Sequence, residues 1–179
     1  MQNKVIGLDL SLTHSGIVVM GGTDVYYHGV VKSKPNGDTY TDELVRIIGI
    51  VSSIQNIIQK HTPTIALIEN LAFGIQKTTS LTQLAGLSFL VRLMLYKNGV
   101  HFCMVSPGSL KKFVTGKGNA DKNIIMMEIY KQYGHSALDD NEADAYGLAV
   151  LGHAIMGKSI NKLTKPQQEV VDLVKTQLC

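Results

Sequence analysis

Four carboxylates among the 14 acidic residues of this 179-residue chain are set where chemistry is possible. Asp9 sits inside the apolar run Val5-Ile-Gly-Leu-Asp-Leu10, and Glu69 closes a second run, Ile65-Ala-Leu-Ile-Glu69. Asp140 and Asp144 belong to Leu138-Asp-Asp-Asn-Glu-Ala-Asp-Ala-Tyr-Gly-Leu-Ala149. A carboxylate in an apolar strand loses its water, so it calls for a cation, a donor network or a bound metal. If the strands of Asp9 and Glu69 are parallel neighbours, their carboxyls lie roughly 5 Å apart, the interstrand spacing. Four positions apart on a helix, Asp140 and Asp144 share one face, about 6 Å apart along the axis. Turned to the sheet edge, that face completes a cluster of four acids. Like charges so close cannot all ionise without cations between them. Oxygen-only ligands select hard ions, Mg²⁺ or Mn²⁺. Two such ions ~4 Å apart suit in-line displacement at phosphorus.

Each acid also has a structural explanation. Asp9 could accept backbone N–H groups from the turn 11–16 that follows it. Asp139, Asp140 and Glu142 would complement the dipole of a helix first turn. Asp144 fits that explanation poorly, because Ala143, Ala145, Leu148 and Ala149 give it apolar surroundings. The six histidines are scattered, and His14, five residues past Asp9, is expected to stabilise the turn.

The elements that must position these acids follow from periodicity. Val5, Gly7 and Asp9 alternate with Ile6, Leu8 and Leu10 as in a strand buried on two sides. Residues 17–20 and 25–32 read as two further strands about a Gly21-Gly-Thr-Asp24 turn, which makes an antiparallel meander. Helical spacing of Leu44, Ile47, Val51, Ile54 and Ile58 predicts a helix over 41–60, and the strand 65–69 follows it. A helix between strands implies a crossover and parallel pairing. Residues 80–96 form the next helix, apolar nearly all round from Leu87 to Leu95; this suits a subunit interface or a crowded monomer core. The strand 100–105 leads to Ser106-Pro107, an N-cap followed by proline at the first helical position. Helices over 121–133 and 138–156 come next, and Thr164-Lys-Pro-Gln167 has capping-box form ahead of a last helix lined by Val170, Val171, Leu173, Val174 and Leu178. The fold class is therefore α/β: a mixed five-stranded sheet, three antiparallel strands then two parallel ones, with helices on both faces.

Length is that of a single domain, residues 1–179. With 45% hydrophobic and 17% charged residues the chain is globular, and a net charge of +3 permits a polyanionic partner without demanding one. Two cysteines and no CxxC pair fit a reducing compartment. No apolar run approaches the ~18 residues of a membrane span, so a cytoplasmic protein with no membrane partner is expected.

The motifs Gly7-Leu-Asp9-Leu-Ser-Leu-Thr-His-Ser-Gly16, Ala66-Leu-Ile-Glu69 and Asp140-Asn-Glu-Ala-Asp144-Ala together resemble the acidic motifs of RuvC-type Holliday-junction resolvases. Pro107-Gly-Ser-Leu-Lys111-Lys-Phe-Val-Thr-Gly116-Lys-Gly118-Asn-Ala-Asp-Lys122 is similar to that family's basic motif, and the likeness runs from about Val5 to His153. The resemblance implies an RNase H-like fold, a homodimer, and Mg²⁺-dependent nicking of two strands across a four-way DNA junction. It makes Asp9, Glu69, Asp140 and Asp144 the metal ligands, with Mn²⁺ able to replace Mg²⁺. It also puts Lys111 and Lys122 near the scissile phosphate, Lys122 as a catalytic residue. Two features depart from the family. Bacterial members carry the helix acids three apart, whereas the residue three before Asp144 is Asn141; the four-apart pair is closer to mitochondrial and poxviral members. The junction-stacking aromatic falls three residues after the strand Glu, which is Ala72 here, and Phe73 stands one place late. The compact form and altered motifs suggest a viral relative, acting in the host cytoplasm.

Other functions share parts of this pattern. A broader flap or fork endonuclease would use the same acids. An actin-like sugar or acetate kinase also follows a strand Asp with Gly, Thr and Ser, but needs a second lobe and a second phosphate loop. A non-catalytic junction-binding protein would keep the basic segment without reason to keep four acids. Gly116-Lys-Gly118 is not a P-loop, and Lys112 and Lys117 read as solvated surface charge.

Overall fold

A computed structural model of the chain describes residues 3–71 and 79–178. Five strands form one sheet in the order β3-β2-β1-β4-β5: β1 Val5–Asp9, β2 His14–Gly21, β3 Asp24–Lys32, β4 Ile65–Glu69 and β5 His101–Val105. β1 pairs antiparallel with β2 and parallel with β4, β2 pairs antiparallel with β3, and β4 pairs parallel with β5. The expected three-antiparallel, two-parallel arrangement is thus the observed one.

Alternation along β1 sorts the core into two halves. Ile6 and Leu8, with Ile17, Val19, Ala66 and Ile68, pack beneath α1 Tyr40–His61 and α2 Thr79–Lys97. Val5, with Val18, Met20, Leu67, Cys103 and Val105, packs on the opposite face. That face carries α3 Pro107–Thr115, α4 Lys122–Tyr133, α5 Asp140–Ile155 and α6 Lys165–Lys175. α1 begins in a Thr39–Asp42 capping box, and Ser106 caps α3 by accepting from the Ser109 N–H at 3.1 Å.

Three elements differ from the sequence reading, each for a physical reason. β2 starts at His14 rather than at Ile17, because the turn is closed by serines and releases the chain early: Ser15 Oγ accepts from the Ser11 N–H at 3.0 Å and donates to the Ser11 carbonyl at 2.7 Å. α2 is not the helix buried on all sides. It buries Leu87, Ser88, Val91, Met94 and Leu95 but exposes Phe89, Leu93 and Tyr96. The helix enclosed all round is α5, in which every residue from Glu142 to Ile155 is buried. In α6, Val170, Val171 and Val174 are buried while Leu173 faces solvent.

Two glycines let α5 lie so deep. A Cβ on Gly7 would come within 2.0 Å of the Ala145 carbonyl oxygen, and one on Gly16 within 2.0 Å of the Asn141 carbonyl oxygen. Backbone of the helix therefore rests on backbone of β1 and β2, and no residue with a side chain fits at either place without moving the helix.

Candidate metal centre

Asp9 ends β1, and Glu69 ends the parallel strand β4 beside it. The register Leu8 to Ile68 carries on to set Asp9 alongside Glu69, and both acids follow the alternation onto the α5 face. α5 supplies Asp144, one turn inside its N-terminus. One carboxylate oxygen from each of Asp9, Glu69 and Asp144 lies within 4.8 Å of the others. Asp9 and Asp144 are buried and Glu69 is half-buried.

At such spacing, and an effective dielectric near 20, each pair of ionised carboxylates repels by roughly 3–4 kcal/mol. Divalent cations between them reverse the sign of that energy. The donor set is oxygen only, which fits Mg²⁺ or Mn²⁺ and disfavours softer ions. The residues present therefore fit a hard-metal site.

The acids at the start of α5 have separate positions. Asp139 is the N-cap, and its Oδ1 accepts from the Glu142 N–H at 2.9 Å. That bond accounts for Asp139 structurally. Asp140 occupies the first helical position, half-buried, one turn before Asp144; it is not one of the three acids that converge within 4.8 Å. Asn141 sends its backbone carbonyl onto Gly16.

Glu142 is the residue that sequence reasoning missed. Read as a dipole-complementing first-turn acid, it is fully enclosed, and its Oε1 meets His28 Nδ1 at 3.1 Å and His135 Nε2 at 2.9 Å. His135, seven residues before Glu142, was the one nearby signal, whereas His28 lies on β3, 114 residues away.

The basic segment runs from the start of α3 to the first residue of α4. Lys111 is half-buried on α3, and Lys112 is paired at 2.6 Å with Glu169 of α6, where its ammonium holds the Glu169 carboxyl below the usual range. Lys117 is exposed, as expected of surface charge. Lys122 is the first residue of α4. Phe73 lies outside the described residues.

Comparison with known proteins adds three findings. The family model described as crossover junction endodeoxyribonuclease RuvC matches residues 5–172. Among curated relatives, the crossover junction endodeoxyribonuclease RuvC of Brachyspira hyodysenteriae is 30% identical over 118 residues, covering 66% of this chain and 72% of that one. That of Gloeobacter violaceus is 28% identical over 157 residues, 83% of this chain and 87% of the relative. Among solved structures, Thermus thermophilus RuvC superposes with a TM-score of 0.71 at 20% identity, over 87% of this chain and 97% of that one. It has also been solved in complex with Holliday junction substrate, with a TM-score of 0.71 at 19% identity and the same coverage.

Proposed function

This chain belongs to the RuvC family of crossover junction endodeoxyribonucleases, and from that premise we propose that it resolves four-way DNA junctions by metal-dependent phosphodiester hydrolysis. The observation that carries the reading is the convergence of Asp9, Glu69 and Asp144, from two strands and a helix, within 4.8 Å. The Thermus thermophilus relative seen with Holliday junction substrate supports the choice of DNA. Residues 1–179 act as one nuclease domain in the cytoplasm. Among the described residues no helix is long and apolar enough to cross a membrane.

Asp9, Glu69 and Asp144 would hold two Mg²⁺ ions per site, replaceable by Mn²⁺, which would supply Lewis acidity for an in-line displacement at phosphorus. The protein's part is to hold that charge in a fixed place. Asp9 and Glu69 stand on adjacent strand ends, so their separation is set by backbone pairing rather than by loop conformation. Asp144 closes the site from above, at a depth set by the contacts of α5 with Gly7 and Gly16. Asp140, at the first position of the helix, would be the fourth ligand. Lys111 and Lys122 neutralise phosphates near the scissile bond, Lys122 as the catalytic one, and Phe73 is a further candidate for contact with DNA.

Two nicks on opposed strands need two such sites, and a homodimer supplies them. Its interface is the exposed side of α2: Phe89, Leu93 and Tyr96 stand at positions i, i+4 and i+7, with Tyr96 77% exposed. A four-way junction labelled on each strand in turn, incubated with the protein and Mg²⁺ beside a duplex, a flap and a fork, tests the proposal. Paired nicks on the junction alone are expected; equal cutting of flap and fork would replace junction resolution with a broader branched-DNA activity.

A further inference from the structure

Glu142 places a carboxylate on the flank of α5 away from Asp144, where it meets His28 of β3 and His135 of the segment between α4 and α5. We propose that His28, Glu142 and His135 form a second metal site, distinct from the hydrolytic centre and selective for Zn²⁺ over Mg²⁺.

Four observations carry it. One ligand atom from each of the three residues lies within 4.8 Å of the others. Glu142 Oε1 stands 3.1 Å from His28 Nδ1 and 2.9 Å from His135 Nε2. The ligand-to-ligand edge of a tetrahedron with Zn–N and Zn–O bonds of about 2.0–2.1 Å is about 3.3 Å, so a small outward adjustment of the three groups admits the ion. The Glu142 side chain is 0% exposed, and its Oε2 has no hydrogen-bond partner among the described residues. A wholly buried carboxylate with one oxygen left without a donor is costly, and a cation bound to that carboxylate offsets its charge. Finally, the His135 ring is fixed by stacking on Tyr146 at 4.4 Å and 17°, which aims Nε2 at Glu142.

Ligand chemistry separates this site from the other. Two imidazoles and one carboxylate suit Zn²⁺ and its neighbours in the first transition row, whereas three carboxylates suit Mg²⁺ or Mn²⁺. The His28 side chain is 48% exposed, so an ion can reach the cluster from solvent. Two distant stretches of chain meet here, β3 and the continuous run from the α4–α5 connection into the first turn of α5. A bound ion ties that turn to the sheet independently of the hydrolytic site.

The test is Zn²⁺ binding by the purified full-length protein in excess Mg²⁺, read by metal analysis after desalting and by the visible d–d absorption of Co²⁺ as a substitute ion. One equivalent per chain is expected. It should persist in an Asp9→Asn, Asp144→Asn double variant and be lost in His28→Ala, whose half-exposed side chain can be removed without opening the core. His135→Gln is the second variant, with circular dichroism establishing that it folds, and it too should lose the ion. Absence of bound Zn²⁺ in the wild type, or binding unchanged by His28→Ala, would overturn the site and leave the imidazoles as hydrogen-bond partners of Glu142 alone.

Discussion

Gly16 on β2 lies so close under Asn141 on α5 that a methyl group on the glycine would sit 2.0 Å from the Asn141 carbonyl oxygen. Gly16 is also the cross-strand partner of Asp9. One residue therefore fixes both the strand that carries the first acid and the depth of the helix that carries another. Gly16→Ala should push α5 outward, destabilise the fold by about 1–3 kcal/mol and depress cleavage further than stability alone explains. Gly49→Ala is the control. Gly49 lies in α1 with nothing within 4 Å of an added Cβ, so alanine there should stabilise by roughly 0.5–1 kcal/mol and leave cleavage unchanged. Thermal melts and single-turnover rates on both variants check the pair.

At the start of α5 the proposal assigns metal binding to Asp144 and Asp140 and capping to Asp139. Asp139→Asn should cut at near wild-type rate, because asparagine is as good an N-cap as aspartate. Asp140→Asn should be inactive yet still bind junctions in a gel shift. Activity retained in Asp140→Asn together with a dead Asn141→Ala would move the ligand to Asn141, three residues before Asp144.

Phe89→Glu should convert the proposed dimer to a monomer in sedimentation at micromolar concentration, since it puts a charge on the exposed apolar side of α2. Leu90 is a poorer choice of variant, because its side chain packs against the core beneath α2. A wild-type mass of about 19.5 kDa, that of one chain, would remove α2 as an interface.

Buried His153 of α5 lies with Nε2 3.2 Å from the Met20 carbonyl. Burial drives its pKa down, the Met20 hydrogen bond opposes this in part, and Lys158 adds to the depression. The unfolded chain therefore takes up a proton, near the ordinary histidine pKa of about 6.5, that the folded chain refuses. Stability is fully present above that pH and falls as the medium is acidified through it. His61, also depressed by burial, acts in the same direction. Denaturant midpoints at neutral and mildly acidic pH should differ less in His153→Gln than in the wild type. An identical pH slope in the two proteins would acquit His153.

Much of this architecture was legible in sequence because it rests on local pattern. Two-faced apolar alternation gave β1 and β4, helical spacing gave α1, and Ser106-Pro107 and Thr164–Gln167 marked the starts of α3 and α6. Asp9 and Glu69 could be set side by side because crossover connections imply parallel pairing. The early start of β2 was hidden, since the serine bonds that close its turn are tertiary in geometry though local in sequence. Exchanged burial of α2 and α5 was hidden too. Both are apolar nearly all round, and only packing shows that α5 crosses the sheet while α2 keeps one side open. Glu142 gave no sign of its histidine partners: His28 comes from β3, 114 residues away, and His135, though only seven residues before it, meets it only because the α4–α5 connection folds back onto the first turn of α5.

The central claim is that the carboxylates gathered at Asp9, Glu69 and Asp144 hold the cations that hydrolyse a four-way junction. Cleavage of that junction as a function of Mg²⁺ concentration, for the wild type and for Asp144→Asn, tests it most directly. The wild type should cut in Mg²⁺ or Mn²⁺, stop in excess EDTA, and bind without cutting in Ca²⁺, whose looser coordination spoils the in-line geometry. Asp144→Asn should bind the junction as the wild type does and lose on the order of 10²–10³-fold or more in rate at saturating Mg²⁺. Cutting by the wild type in EDTA, or by Asp144→Asn at the wild-type rate, would contradict the account.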